Sequence, residues 1–107
     1  MHRKEFEESF INSGSLVNMT KDEALRLLGK DVAMMIGYNQ NNPHHCYDLW
    51  EHSIKTMQGL TCDKDNQLRV AAFFHDIGKP SVARVKDGRT VFYGHAQKSV
   101  EIANSLL

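Results

Sequence analysis

The sequence predicts an all-α helical bundle with one small β-ribbon or loop excursion near residues 80–94. Three observations carry that expectation. Apolar residues recur at helical spacing in four segments, as a core-facing helix requires. Thr20 and Glu23 stand at the spacing of a capping box, in which each side chain satisfies a free amide at a helix start. Asp87-Gly88 lies between Val82, Val85, Val91 and Phe92, a short-range hairpin signal.

Taken in order, residues 3–11 predict a short helix, and Asn12-Ser13-Gly14-Ser15 a loop. Residues 1–19 are expected to be peripheral to a single domain spanning 1–107. After the capping box, Ala24, Leu25 and Leu28 mark a helix that continues toward Val32, Met35 and Ile36. Gly29 breaks it into two pieces. Residues 37–43 (GYNQNNP) are turn chemistry. From about Tyr47 to Gly59, Leu49, Trp50, Ile54 and Met57 form an apolar stripe. Residues 61–65 (TCDKD) are expected to link it to a helix over about Asn66–Gly78. There Val70-Ala71-Ala72-Phe73-Phe74 is apolar on nearly every side and predicts the fully buried central helix. A last helix runs from about His95 to the end, with Val100, Ile102, Ala103, Leu106 and Leu107 apolar.

The 107 residues carry 13 Lys plus Arg against 13 Asp plus Glu, so the formal net charge is zero. A dedicated nucleic-acid surface normally needs a basic excess, and none is expected. No apolar run approaches the roughly 20 residues of a membrane span. The charged start MHRKEFEESF lacks the apolar stretch of a secretory signal. With two cysteines, Cys46 and Cys62, outside CxxC spacing, neither a disulfide framework nor a thiolate zinc site is expected. A reduced, cytoplasmic protein is the expectation.

The chemistry lies in the six histidines. His75-Asp76 closes the predicted central helix, where an ionised carboxylate costs several kcal/mol unless compensated. A divalent cation compensates it directly, given further ligands from neighbouring helices, and the sequence offers His52 and His95. Imidazole with carboxylate suits Mn, Mg, Fe, Co, Ni or Zn. Lys79 falls one turn after His75, where its cationic head could meet an anion. Asp48 lies four residues before His52 and is expected to orient that imidazole. Standing alone, His75-Asp76 also reads as an internal ion pair, and Lys79-Pro80 as a helix terminator.

His75-Asp76-Ile77-Gly78-Lys79-Pro80, preceded by Leu68-Arg69-Val70-Ala71-Ala72-Phe73-Phe74, resembles the signature of the HD superfamily of metal-dependent phosphohydrolases. Gln40-Asn41-Asn42-Pro43-His44-His45, followed by Asp48-Leu49-Trp50-Glu51-His52-Ser53, resembles the opening helix of that domain. Phe92-Tyr93-Gly94-His95-Ala96, with Ser99 and Ile102-Ala103, resembles the segment after the signature. The combination is most similar to the HD domain attached to CCA-adding tRNA nucleotidyltransferases and to stand-alone relatives, and it runs through residues 31–107. The resemblance implies metal ligation by His52, His75, Asp76 and His95, with one or two ions held. It gives Asp76 and Lys79 catalytic roles, and places Lys79 and His45 near the substrate. The implied activity is a metal-dependent phosphohydrolase, a phosphomonoesterase or phosphodiesterase, acting on a nucleotide or small phosphorylated metabolite. The alternative is a non-catalytic HD module that binds a nucleotide or a partner.

Two departures from the family pattern shape the expectations. The nucleotidyltransferase head has no counterpart here, so nucleotide addition is not expected. The family usually closes its first metal site with an Asp on a later helix, and no Asp follows Asp87. The expectation is either a truncated domain or a protein that natively lacks this closing ligand, and the final helix is expected to be missing. The apolar residues of 100–107 would then be exposed and join two chains as a homodimer.

Overall fold

In the computed structural model, residues 1–40, 47–60 and 66–107 are described. The fold is mainly helical with a two-stranded ribbon, as the sequence predicts. The first helix, α1 (Arg3–Phe6), runs into a π-helical turn, Glu7–Ile11. The Thr20–Glu23 capping box forms and opens α2 (Lys21–Leu28). Gly29, with φ of 96°, breaks the helix as expected, and α3 (Lys30–Ala33) follows. A positive φ at that point suits the residue without a Cβ.

A turn segment leads from α3 toward α4 (Leu49–Gln58) and is fastened to its start by backbone hydrogen bonds. Leu49 N–H donates to Tyr38 O at 2.9 Å, and Trp50 N–H to Met35 O at 3.0 Å. Next come α5 (Asn66–Phe74), a four-residue α6 (Lys79–Val82), strands β1 (Arg84–Lys86) and β2 (Arg89–Val91), and α7 (His95–Leu106). The strands pair antiparallel with Val85 opposite Thr90, across the expected Asp87-Gly88 turn.

The core is aromatic at its centre. Phe6, Phe73, Leu16, Met35 and Leu49 are fully buried. The Phe6 ring lies 5.8 Å from Phe73 and 5.3 Å from Phe74, and Trp50 meets Phe73 edge-on at 5.5 Å. Each such side chain contributes about 1.5–3 kcal/mol through burial.

Several expectations are corrected. Residues 1–19 are not peripheral: Phe6, Phe10, Ile11, Leu16 and Met19 are all buried. Short helices read as marginal in sequence, but here they supply core volume. The central helix ends at Phe74, not Gly78, because His75–Gly78 form a turn. Nor is α5 buried all round, since Leu68 and Ala71 are exposed. Lys79-Pro80 starts a helix instead of ending one, as a proline with no amide hydrogen does in a first turn. Of the five apolar C-terminal residues expected to be bare, Ile102 is buried, and Ala103, Leu106 and Leu107 pack half-buried on the core. Val100 alone of the five is exposed. The exposed surface on which the homodimer expectation rested is therefore largely absent. The 61–65 linker, the 41–43 part of the loop and both cysteines fall outside the described residues.

Candidate metal centre

The site forms where α5 gives way to the 75–78 turn. Asp76 is buried, and four cationic or imidazole side chains from three directions surround it. His75 Nε2 lies 2.9 Å from Asp76 Oδ2, and Lys79 Nζ 3.3 Å from the same oxygen. His52 Nε2, from α4, is 3.8 Å from it. His95, the first residue of α7, sets its Nε2 3.4 Å from Oδ1. The two carboxylate oxygens thus face different partners.

Local structure fixes these side chains. His75 Nδ1 bonds the Ala72 carbonyl, and His95 Nδ1 bonds the Phe92 carbonyl at 3.0 Å. A carbonyl accepts only, so in both rings Nδ1 carries the proton and a neutral ring presents a lone pair at Nε2. Gly78 brings the His95 end of α7 close. A Cβ at Gly78 would stand 2.6 Å from His95 O and 2.7 Å from Ser99 N, distances no side chain tolerates. The Gly78 N–H also donates to the buried Ser99 hydroxyl at 2.8 Å.

Electrostatics follow from the crowding. Burial disfavours the charged form of Asp76, but hydrogen bonding and charge from His75, followed by Lys79, outweigh it and hold the carboxyl at about 2. The Asp76 hydrogen bond raises the pKa of His75 against the opposing effect of burial. A neutral His75 would set a nitrogen lone pair against a carboxylate oxygen at 2.9 Å. Either a proton or a cation resolves that conflict. One ligand atom each from His52, His75 and Asp76 lies within 4.8 Å of the others, so the three could hold an ion. Nitrogen and oxygen donors with outward-held tautomers fit a borderline divalent metal.

The sequence-predicted residues His52, His75, Asp76, Lys79 and His95 are brought together. His45 lies outside the described residues, as does His44. Asp48 has a different task from the one expected. Its Oδ1 accepts from Glu51 N–H at 2.7 Å, capping α4, and its Oδ2 accepts from Gly37 N–H at 2.8 Å. It therefore positions His52 through the helix start and the 34–40 turn.

Sequence reasoning missed Gln40. This residue is buried, and its Oε1 accepts from Lys79 Nζ at 2.8 Å. Its sole signal was its place at the head of the stretch that resembles the opening of the HD domain, where it was given no role.

Fold and site together define a helical-bundle domain built around a histidine–aspartate centre. A family model described as the HD domain matches residues 45–107, and the chain belongs to the HD domain family, which includes metal-dependent phosphohydrolases. Over 93 aligned residues the chain is 36% identical to the CC-adding tRNA nucleotidyltransferase of Thermus thermophilus, covering 79% of this chain and 21% of that protein. The match thus spans about a fifth of that relative. No solved structure matches the chain significantly. Among the described residues, no helix is long and apolar enough to cross a membrane.

Proposed function

We propose that the protein is a metal-dependent phosphohydrolase acting on a nucleotide or small phosphorylated metabolite. The observation that carries this reading is the convergence of His52, His75 and Asp76 within ligand distance, with Lys79 and His95 against the same carboxylate. His52, His75 and Asp76 would hold the cation, and His95 stands where it can join them or serve a second ion at Oδ1. When bound, the cation supplies Lewis acidity toward a phosphoryl oxygen and an acidified water.

The chain's own residues do the rest. Asp76 stays ionised because His75 and Lys79 favour its charged form. The Ala72 and Phe92 carbonyls keep the Nε2 atoms of His75 and His95 facing the carboxylate. Lys79 carries a fixed positive charge beside the cluster, which opposes negative charge building on phosphoryl oxygens. Belonging to a family that includes metal-dependent phosphohydrolases supports the reading, while the substrate is this proposal's own.

The test is elemental analysis of purified protein, followed by hydrolysis of p-nitrophenyl phosphate and bis(p-nitrophenyl) phosphate with Mn, Ni, Co or Mg added. Bound metal and cation-dependent hydrolysis are expected, both lost in His75→Ala and Asp76→Ala. Absence of metal and of hydrolysis under all four cations would overturn the reading. Bound metal with phosphorylated ligands recovered intact would favour the non-catalytic binding module.

A further inference from the structure

Gln40 holds the clearest unmet demand near the site. The side chain is 4% exposed, yet its Nε2 has no hydrogen-bond partner among the described residues. Which end of the amide faces Lys79 is not arbitrary. An ammonium only donates, so the amide oxygen must accept from it and the NH2 group must face elsewhere. Lys79 Nζ in turn touches Asp76 Oδ2, so the Gln40 amide is two contacts from the proposed metal ligand. A buried NH2 group with nothing to donate to is costly and uncommon in folded proteins.

We propose that Gln40 is an oxyanion-binding residue of the site. Its Oε1 positions the Lys79 ammonium, and its Nε2 donates to a non-bridging phosphoryl oxygen of the ligand. The amide NH2 and the ammonium are both donors. Such a pair selects a group that only accepts, as an ionised phosphoryl group does, over a hydroxyl or amide that must also donate. The backbone supports the placement. The 34–40 turn is fastened to the start of α4 through Leu49 N–H, Trp50 N–H and the Asp48 carboxylate, so Gln40 is held relative to His52. The inference rests on the phosphohydrolase reading for the identity of the ligand and on the orphaned amide for the residue.

The test is a titration of inorganic phosphate into zinc-loaded and metal-free protein, read by calorimetry and by the side-chain amide resonances of Gln40. In the wild type those NH2 resonances should shift as phosphate saturates. Gln40→Leu removes both functions. Gln40→Glu keeps an acceptor for Lys79 but puts a negative oxygen where the donor was. Each should weaken phosphate about tenfold or more, with zinc affinity changed by less than about twofold. Phosphate binding equal to wild type in Gln40→Glu, or Gln40 resonances that stay still while phosphate binds, would overturn the inference, as would a wild type that takes up no phosphate. Should both variants fail to fold, the wild-type resonances decide alone. Phosphate bound through Gln40 with no phosphate ester cleaved would sink the hydrolase reading and leave this one standing.

Discussion

Phe73 and Phe74 end α5 against Phe6 and Trp50, while the next two residues, His75 and Asp76, enter surroundings of the opposite kind. On the aromatic side, rings pack at 5.0–5.8 Å, and no charge needs compensation. On the polar side a buried carboxylate is held by four groups that could each carry positive charge. Neighbouring residues thus split between area-driven and charge-driven stabilisation. The aromatic half should be indifferent to pH and cations, and the polar half sensitive to both.

The largest effect should come from the aromatic side. Phe73→Ala should cost about 3–5 kcal/mol in denaturant unfolding, because the ring leaves a cavity at full burial. A loss below about 1 kcal/mol would break the comparison, since the core would then not hinge on that ring. Acid comes next. Asp76 titrates at about 2 in the folded chain against a usual 3.8. The unfolded chain therefore takes up the proton first, so stability is present above the usual value and drains as pH falls toward 2. The difference amounts to about 2 kcal/mol. His75 has the opposite sign. Its raised pKa stabilises the metal-free fold below the usual histidine value, and that contribution fades as pH climbs through the raised one. Metal-free protein should accordingly be most stable on the acid side of neutrality. Asp76→Asn should flatten the acid limb and Phe10→Ala should leave its slope intact, both by unfolding at stepped pH.

Asp48→Ala should cost about 1–2 kcal/mol by removing a helix cap, and should also loosen the Gly37 amide that it holds. Denaturation reports the first effect, and amide exchange at Gly37 the second. The smallest effect sharpens the boundary. Ser53 is fully buried, and its hydroxyl has no partner among the described residues. Ser53→Ala should be neutral or stabilise by up to about 1 kcal/mol, raising the melting temperature. A marked loss would reveal a polar neighbour on the supposedly apolar side of α4.

Local features were legible in the sequence. The capping box, the break at Gly29 and the Asp87-Gly88 hairpin each depend on residues a few positions apart, and each formed. His75 and Asp76 stood out because a histidine–aspartate pair after two phenylalanines is chemically conspicuous, while their grouping with His52 and His95 rested on the resemblance to the HD superfamily. What escaped depends on distant partners. The contact between Gln40 and Lys79 joins residues 39 positions apart, so neither one signals the other. The burial of Phe6 depends on Phe73 and Phe74, which no periodicity over residues 3–11 can show. The end of α5 was misplaced because the 75–78 turn is set by α7 docking against Gly78, not by a breaker upstream.

That docking has a consequence of its own. The amide of Gly78 grips Ser99, one turn along from His95, and Ile102 on the same helix plugs the core. One helix therefore serves two masters. A bulkier residue at 78 would pry it away, unseating a core plug and withdrawing an imidazole in the same stroke. Conversely, an ion that tethers His95 to Asp76 would also fasten the C-terminal helix, so protection of that helix from proteolysis should track how much ion is supplied.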